Sequence, residues 1–120
     1  MARMDVLLTT TGRRTGTART VRLYAFADGD RLVVVGSRGG DVRDPYWAEN
    51  LRADPRATVT IGGEEHALRA TEVAPADRDR LWALVQGEFP TYAYYQRRTK
   101  RVIPLFVLGP LDGETASETA

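Results

Sequence analysis

Apolar and polar positions alternate along much of the chain with the period of two that is typical of half-buried β-strands. The alternation predicts a short first strand over residues 4–9. It also predicts a hairpin over residues 20–36, with Asp28-Gly29-Asp30 as its turn and the apolar run 32–36 as its second strand.

A second hairpin is predicted by two further strands that flank a pair of glycines. The strands cover residues 57–61 and 65–73, and Gly62-Gly63 forms the turn. A last strand is predicted over residues 102–108. Because proline cannot donate a hydrogen bond to a neighbouring strand, Pro104 places this last strand at a sheet edge or a bulge.

Helical spacing appears in three segments. The first helix runs to about Ala53, with Asp44 as its expected N-cap and Pro45 at its first helical position. A second helix is predicted from Pro75 to about Gln86, with a core-facing apolar stripe. A third, short helix covers residues 91–98.

Six short strands with helices inserted late predict one mainly-β domain, a small antiparallel barrel with packed helices, over residues 4–110. The tail from Gly109 is rich in Gly, Glu, Thr and Ala, and we expect residues 111–120 to be disordered. Neither a G-x-G-x-x-G turn after a strand nor a Walker motif occurs in the sequence. A nucleotide-like ligand is therefore not held in either of those ways.

Charge and composition exclude several classes of function. The formal net charge is +1 over 120 residues, so no global field favours nucleic acid or an anionic membrane. The chain has no cysteine and a single histidine, His66, which argues against thiol catalysis, metal sites and most catalytic triads. No apolar run is long enough for a signal peptide or a membrane span, and we expect a cytoplasmic protein.

The segment TTTGRRTGTART, residues 9–20, concentrates flexible and cationic residues. Its two glycines allow close approach of the backbone to a ligand, and Arg13, Arg14 and Arg19 supply charge for a phosphate or carboxylate. A solvated hairpin loop would have the same composition. The residues alone leave an anion cradle and a solvated loop both open.

A second candidate cluster follows the apolar strand 32–36. Ser37-Arg38-Gly39-Gly40 again permits close backbone approach, and the following helix N-terminus favours anions. We interpret Asp44 as a structural cap, Arg43 as a solvated surface residue and Trp47 as a core residue.

The segment FPTYAYYQRR, residues 89–98, carries an aromatic face. Phe89, Tyr92 and Tyr95 recur every three residues, so that they could stack on a planar ligand and donate a proton, or simply close the barrel. The basic residues that follow are interpreted as a solvated helix end: Arg97, Arg98, Lys100 and Arg101.

Taken together, the segments TTTGRRTGTART, VVVGSRGG, DPYWAENLRADPRATV and FPTYAYYQRRTKRVIPLFVL resemble the deazaflavin-dependent nitroreductase family over about residues 6–110. The resemblance implies a split β-barrel of the FMN-binding type. It implies the coenzyme F420, a deazaflavin with an acidic tail, and hydride transfer to a small-molecule acceptor such as a quinone, nitroaromatic or activated enone. Such coenzyme chemistry needs no metal or catalytic cysteine.

The resemblance also implies a set of site residues. The loop arginines would contact the coenzyme tail, residues 35–38 and 46–50 would contact its ring and ribityl chain, and four hydroxyl groups would face the acceptor. The acceptor-facing residues are Tyr24, Ser37, Tyr92 and Tyr95. The coenzyme-contacting residues are Arg13, Arg14, Thr15, Arg19, Thr20, Val21, Arg22, Leu23, Tyr24, Val35, Gly36, Ser37, Arg38, Tyr46, Trp47, Ala48, Glu49, Asn50 and Tyr92.

Two residues depart from the family pattern. Phe89 stands where a well-known branch carries a pocket tyrosine, and Arg38 stands where lysine is frequent. Because the sequence before Asp5 is very short, we expect the membrane-associating N-terminal extension of some relatives to be absent. The open alternatives are an FMN-using reductase of the same fold and a non-catalytic module that binds a coenzyme or lipid; a nucleic-acid reader is the weakest reading. The sequence assigns neither a monomer nor a dimer.

Overall fold

A computed structural model of the protein describes residues 3–111. That part of the chain contains six strands: β1 (Arg3–Thr11), β2 (Ala18–Asp28), β3 (Arg31–Val35), β4 (Arg56–Ile61), β5 (Glu64–Glu72) and β6 (Leu105–Pro110). It contains three α-helices: α1 (Tyr46–Ala53), α2 (Pro75–Glu88) and α3 (Thr91–Arg98). A single 3-10 turn covers Arg38–Gly40.

The strands form a closed antiparallel barrel in the order β1-β2-β3-β6-β5-β4. Both predicted hairpins are present, as β2–β3 and β4–β5. The barrel is closed by β1 against β4, with Leu8 paired to Val59. Strand β1 pairs with both β2 and β4, and buried and more exposed residues alternate along it. Val6, Leu8 and Thr10 point inward and are almost completely buried.

Strands β3 and β6 are apolar on both faces because both faces are covered. Val34 and Phe106 belong to the cluster inside the barrel, whereas Val33 and Val107 belong to a second cluster outside it. The second cluster includes Leu81 and Val85 of α2 and Tyr92 of α3. The two helices thus pack on the outside of the barrel and bury the apolar run that the sequence places at 32–36.

Helix α1 buries its apolar side in the barrel interior. Trp47, Ala48 and Leu51 all belong to the interior cluster, and the Trp47 ring meets the Phe106 ring edge-on at 5.7 Å. The helix is therefore held by the barrel core, and its opposite side faces a surface cleft.

Three predictions about element ends are wrong. Pro104 precedes β6 rather than interrupting it, and β6 is not an edge strand, because it pairs with both β3 and β5. Gly109 and Pro110 end β6 rather than starting a tail, and Gly109 pairs with Arg69. Of the predicted disordered segment 111–120, residues 112–120 lie outside the described residues.

The N-terminus of α1 also differs from the prediction. Pro45 occupies the cap position in extended conformation, and no side chain caps the helix. The Asp44 carboxylate instead accepts hydrogen bonds from Arg52 at 2.8 Å and from Arg101 at 2.7 Å. Arg52 from the last turn of the same helix and Arg101 from 57 residues away compete successfully with the local backbone amides, which is why the capping rule fails here.

Candidate functional site

A cleft of about 1170 Å³ lies between the first loop, the outer part of β2, the turn after β3, α1 and α3. Its volume lies just above the usual range for sites that bind cofactors and drug-sized ligands. Four segments of the sequence meet here, and each was singled out as a candidate from sequence. The cleft is open to solvent along the first loop, where Arg13, Arg14 and Thr15 are exposed.

The first loop is held in place by α1. The Asn50 side chain is buried; its amide donates to the Thr10 hydroxyl at 3.1 Å, and its carbonyl accepts from the backbone N–H of Arg13 at 3.0 Å. Gly12 bonds back to Thr17 across the loop, and Gly16 adopts the left-handed conformation with φ = 73°. The loop between β1 and β2 is therefore anchored, although its arginine side chains are exposed.

Arginines dominate the charge of the cleft. Six line it, against two carboxylates: Arg13, Arg14, Arg19, Arg22, Arg38 and Arg43, with Asp44 and Glu49. Within residues 3–111, four of these six arginines form no ion pair; the exceptions are Arg13, paired with Glu49 at 2.7 Å, and Arg38, paired with Asp41 at 3.5 Å. A near-neutral protein thus concentrates unneutralised positive charge in one cleft.

The turn after β3 has a backbone conformation that favours glycine. Arg38, Gly39 and Gly40 all have positive φ, at 44°, 62° and 82°. A Cβ on Gly40 would lie 2.6 Å from the Tyr95 carbonyl oxygen, so that only glycine allows this close approach to α3. The turn is thereby pressed against the helix that carries the aromatic face.

Arg101 fixes the same turn from the other side, a role that the sequence did not indicate. Its guanidinium donates to the carbonyl oxygens of Gly36 at 3.1 Å, Ser37 at 2.7 Å and Asp41 at 2.8 Å, and to Asp44 at 2.7 Å. The side chain is only 15% exposed. The interpretation of Arg101 as part of a solvated helix end is therefore wrong. Carbonyl acceptors are present in every sequence, so no residue pattern could have revealed the contact.

Aromatic rings line the part of the cleft where β2 meets α3. The Phe89 ring packs edge-on against Tyr24 at 5.4 Å and against Tyr92 at 4.9 Å, and Tyr95 lies 6.3 Å from Tyr92. The Arg3 guanidinium lies 4.8 Å from the Tyr24 ring centre. Phe89 precedes α3 rather than lying on it, yet its ring still belongs to the same face.

The surroundings of Tyr92 change the pKa of its hydroxyl. Burial raises the pKa of Tyr92 far above its ordinary value, and the nearby hydroxyls of Tyr24 and Tyr95 raise it further. None of the hydrogen bonds between described residues uses the hydroxyl of Tyr92, although its side chain lines the cleft. Tyr92 therefore offers a neutral donor toward the cleft over the physiological pH range.

A sequence model of the family described as F420H2-dependent quinone reductase matches residues 1–110 of the chain. A curated F420H2-dependent quinone reductase of Mycobacterium tuberculosis is 42% identical over 107 residues, which cover 87% of this chain and 72% of that relative. The chain belongs to the F420H2-dependent quinone reductase family. This is an oxidoreductase family whose coenzyme is F420, and the resemblance drawn from the sequence is confirmed.

Solved structures confirm the predicted split-barrel architecture. A structure named as an F420H2-dependent reductase, FDR-A, is 35% identical, with a TM-score of 0.79 over 87% of this chain and 92% of that one. Another, described as a domain-swapped dimer, is also 35% identical, with a TM-score of 0.80 over 90% of this chain and 81% of that one. The barrel of this chain is therefore the barrel of F420-dependent reductases.

Most of the site residues implied by the resemblance line the cleft. Two do not: Ala48 is completely buried in the barrel interior, and Gly36 lies under the Pro104 ring and donates its N–H to the Pro104 carbonyl at 2.9 Å. Ala48 lies on the side of α1 that packs into the barrel, and Gly36 lies against Pro104, so neither residue faces the cleft. The lining residues that the resemblance did not include are Thr10, Gly12, Gly39, Arg43, Asp44, Pro45 and Phe89.

Tyr94 and His66 lie outside the cleft lining. Tyr94 is half-exposed on α3, and His66 lies on β5 with Val59 as its cross-strand neighbour. Among the residues that the structure describes, no group of His, Cys, Asp and Glu has the arrangement of a metal site. No helix in the described range is long and apolar enough to cross a membrane.

Proposed function

We propose that this chain is an F420H2-dependent reductase of quinone-type acceptors, with the coenzyme and the acceptor both bound in the arginine-lined cleft. The observation that carries the proposal is the layout of the cleft along β2. Arg19 and Tyr24 both line it and are five residues apart, or roughly 17 Å of strand. One cleft thus has a basic part and an aromatic part at different positions along this strand, which suits a ligand with an anionic end and a planar end.

The basic part fits the acidic tail of F420. Arg14 and Arg19 form no ion pair with a described residue, and they lie at the anchored first loop. Guanidinium groups bind phosphate and carboxylate in a bidentate manner. Because the tail carries a phosphate and several carboxylates, a row of unpaired arginines favours it over a ligand with a single anionic group.

The aromatic part fits a planar ring and a planar acceptor. Tyr24, Tyr92 and Tyr95 line the cleft, and the buried Ser37 also belongs to its lining. When bound, F420H2 supplies the hydride. The protein's contribution is to hold the acceptor in position, exclude water with the rings and supply hydrogen-bond donors.

Tyr92 is the donor that the geometry favours for the acceptor oxygen. Addition of a hydride to a quinone leaves negative charge on its carbonyl oxygen, and a proton must follow for the quinol to form. The Tyr92 hydroxyl is neutral and lies in an apolar wall, where a hydrogen bond to developing negative charge is strong. Tyr95, Tyr24 and Ser37 would orient the acceptor beside it.

The direct test is turnover with a soluble quinone. Purified protein is mixed with F420H2 and menadione, and the return of the oxidised coenzyme is followed by its absorbance. The proposal predicts enzyme-dependent oxidation that requires both reactants. Tight binding of F420H2 without turnover on any quinone would instead indicate a coenzyme-binding module. Nitroaromatics and activated enones in the same panel define how far acceptor use extends.

A pair of arginine variants distinguishes F420 from FMN as the coenzyme. Arg14→Ala together with Arg19→Ala should raise the Kd for F420H2 roughly 30- to 100-fold, since each charge-assisted contact contributes about 1.5–3 kcal/mol before screening by solvent. The loss should shrink at high salt. The matched control, Arg31→Ala with Arg56→Ala, removes two exposed arginines outside the cleft. Copurification of FMN that survives the Arg14 and Arg19 changes would refute the F420 assignment.

A further inference from the structure

The basic part of the cleft already contains a carboxylate of the protein itself. Glu49, in the first turn of α1, pairs with Arg13 of the first loop, and 2.7 Å separate its carboxylate oxygen from the guanidinium nitrogen. Both side chains line the cleft, and they are exposed to 34% and 29%. A ligand that brings acidic groups to the first loop therefore meets Arg13 in contact with another carboxylate.

The second carboxylate of the cleft lining has a structural role. Asp44 accepts hydrogen bonds from Arg52 at 2.8 Å and from Arg101 at 2.7 Å, and neither of these arginines lines the cleft. Among the lining residues, Glu49 is thus the carboxylate that pairs with an arginine of the cleft itself.

The fold gains little from the pair between Glu49 and Arg13. The first loop is already held through its backbone, because the buried Asn50, the next residue of α1, accepts a hydrogen bond from the Arg13 N–H at 3.0 Å. Solvent screens a partly exposed ion pair, which therefore adds little stability. A carboxylate in this position also opposes the binding of any other anion. Its position is explained better by an effect on ligand binding than by an effect on stability.

We propose that Glu49 is a specificity-determining residue: its carboxylate holds the Arg13 guanidinium in place of an acidic group of the coenzyme tail, and the tail displaces it on binding. The proposal rests on the proposed function, because it requires a ligand with an acidic tail. The contact at 2.7 Å demonstrates that a carboxylate can reach this guanidinium. The resemblance groups Glu49 with the residues beside the ring and ribityl chain, whereas its contact with the first loop assigns it to the tail.

Displacement of Glu49 makes the tail contribute less to affinity than its charge would allow. An acidic group that meets Arg14 or Arg19 finds a guanidinium that forms no ion pair with a described residue. A group that reaches Arg13 must first replace Glu49. Weaker binding of the tail shortens the time for which the oxidised coenzyme stays after hydride transfer, which favours its exchange for a reduced one.

The test is calorimetric titration of the purified chain at low salt with two ligands, F420 and the tail-less deazaflavin that ends at the ribityl chain. Glu49→Gln removes the charge but keeps an oxygen that can accept a hydrogen bond from Arg13. It should lower the Kd for F420 roughly fivefold, the upper limit for a partly exposed ion pair, and leave the Kd for the tail-less deazaflavin unchanged. The gain should shrink at high salt. Because the expected result is a gain in affinity, damage to the fold cannot imitate it.

Two further variants show whether the gain comes from the contact with Arg13. Glu64→Gln is the matched control, since it makes the same charge change on an exposed part of β5 outside the cleft lining, and it should leave the Kd for F420 unchanged. In an Arg13→Gln background, Glu49→Gln should bring a much smaller gain, because no guanidinium is released.

Four outcomes contradict the inference. An unchanged Kd for F420 in Glu49→Gln would overturn it, and weaker binding would mean that Glu49 orients Arg13 for the ligand instead. An equal gain in Glu64→Gln would assign the effect to net charge, and an undiminished gain in the Arg13→Gln background would assign it to repulsion alone. Failure of the wild-type chain to bind F420 would refute the proposed function and the inference with it, whereas binding without a gain in Glu49→Gln refutes the inference alone.

Discussion

Arg101 allows the sharpest test of how the cleft is held together. Its side chain joins the segment after α3 to the turn that carries Ser37 and Arg38, and within the cleft lining it contacts Ser37 and Asp44. Replacement by alanine removes four hydrogen bonds at once. We expect loss of both stability and coenzyme affinity, with little change in the rate at saturation.

The magnitude follows from what is left unpaired. Three carbonyls and one oxygen of Asp44 lose a charged donor, while Arg52 still neutralises Asp44. Breaking a buried ion pair costs about 3–5 kcal/mol, and partial exposure of both partners reduces this to roughly 2–4 kcal/mol here. For a domain of this size that corresponds to a fall in Tm of roughly 8–15 °C.

The effect on function follows from the ordering of the turn. If the free turn adopts the binding-competent conformation only about a tenth of the time, the apparent Kd for F420H2 rises about tenfold. Arg101→Lys keeps the charge but can reach only part of the acceptor set, so that it should give an intermediate Kd. Fluorescence titration measures the Kd, and steady-state kinetics measure kcat.

The control for Arg101 is Arg80→Ala. Arg80 also forms a bidentate pair of hydrogen bonds, with the Asp28 carboxylate at 3.0 and 3.1 Å. This contact joins α2 to the β2–β3 hairpin away from the cleft. It should lower Tm without changing the Kd. An Arg101→Ala variant that loses Tm but keeps wild-type coenzyme affinity would refute the reasoning, and so would one that loses kcat at an unchanged Kd.

Three further changes test other parts of the structure. Tyr92→Phe should lower kcat for quinone reduction about 100- to 1,000-fold, the usual range for a lost general acid or oriented donor, with F420H2 binding preserved; an unchanged kcat would exclude Tyr92 as the donor. Gly40→Ala should fail to reach wild-type Tm by several degrees, because its Cβ would meet the Tyr95 carbonyl at 2.6 Å at φ = 82°. The hydrogen bonds from Arg52 lower the pKa of Glu72, so this carboxylate stabilises the fold above the ordinary Glu pKa of about 4.3 and stops doing so as the pH falls through its lower folded value. The Tm difference between wild type and Glu72→Gln should therefore be present at neutral pH and vanish in acid; a difference that grows in acid would contradict this sign.

The barrel could be predicted from the sequence because its strands obey local rules. Val6, Leu8 and Thr10 alternate with exposed residues, and the glycine pair 62–63 marks a hairpin turn. The unbroken apolar run 32–36 predicted the strand that the structure contains as β3, whose residues 33–35 are buried. Pro104 was misjudged because proline statistics describe strand interiors, whereas here the strand begins one residue later.

The cleft could be predicted only in part. Motifs in four segments pointed to it, since glycines, arginines and tyrosines leave local signals. The contacts that hold these segments together leave no local signal in the sequence. Asn50 binds the first loop from 37 residues away, and Arg101 reaches back 57 to 65 residues to the turn after β3. Long-range partners of this kind are fixed by the closed barrel rather than by any local pattern.

The position of β6 in the barrel also determines when the molecule can become a barrel during synthesis. The last strand of the described chain, β6, is inserted between β3 and β5, and it supplies the partner for an edge of each. Until residues 105–110 have left the ribosome, both edges are unpaired and available to other chains. Closure is thus a late, non-local event, which makes folding slow relative to a helical protein of equal length. The nascent chain, more than the finished enzyme, is the species that chaperones would have to protect.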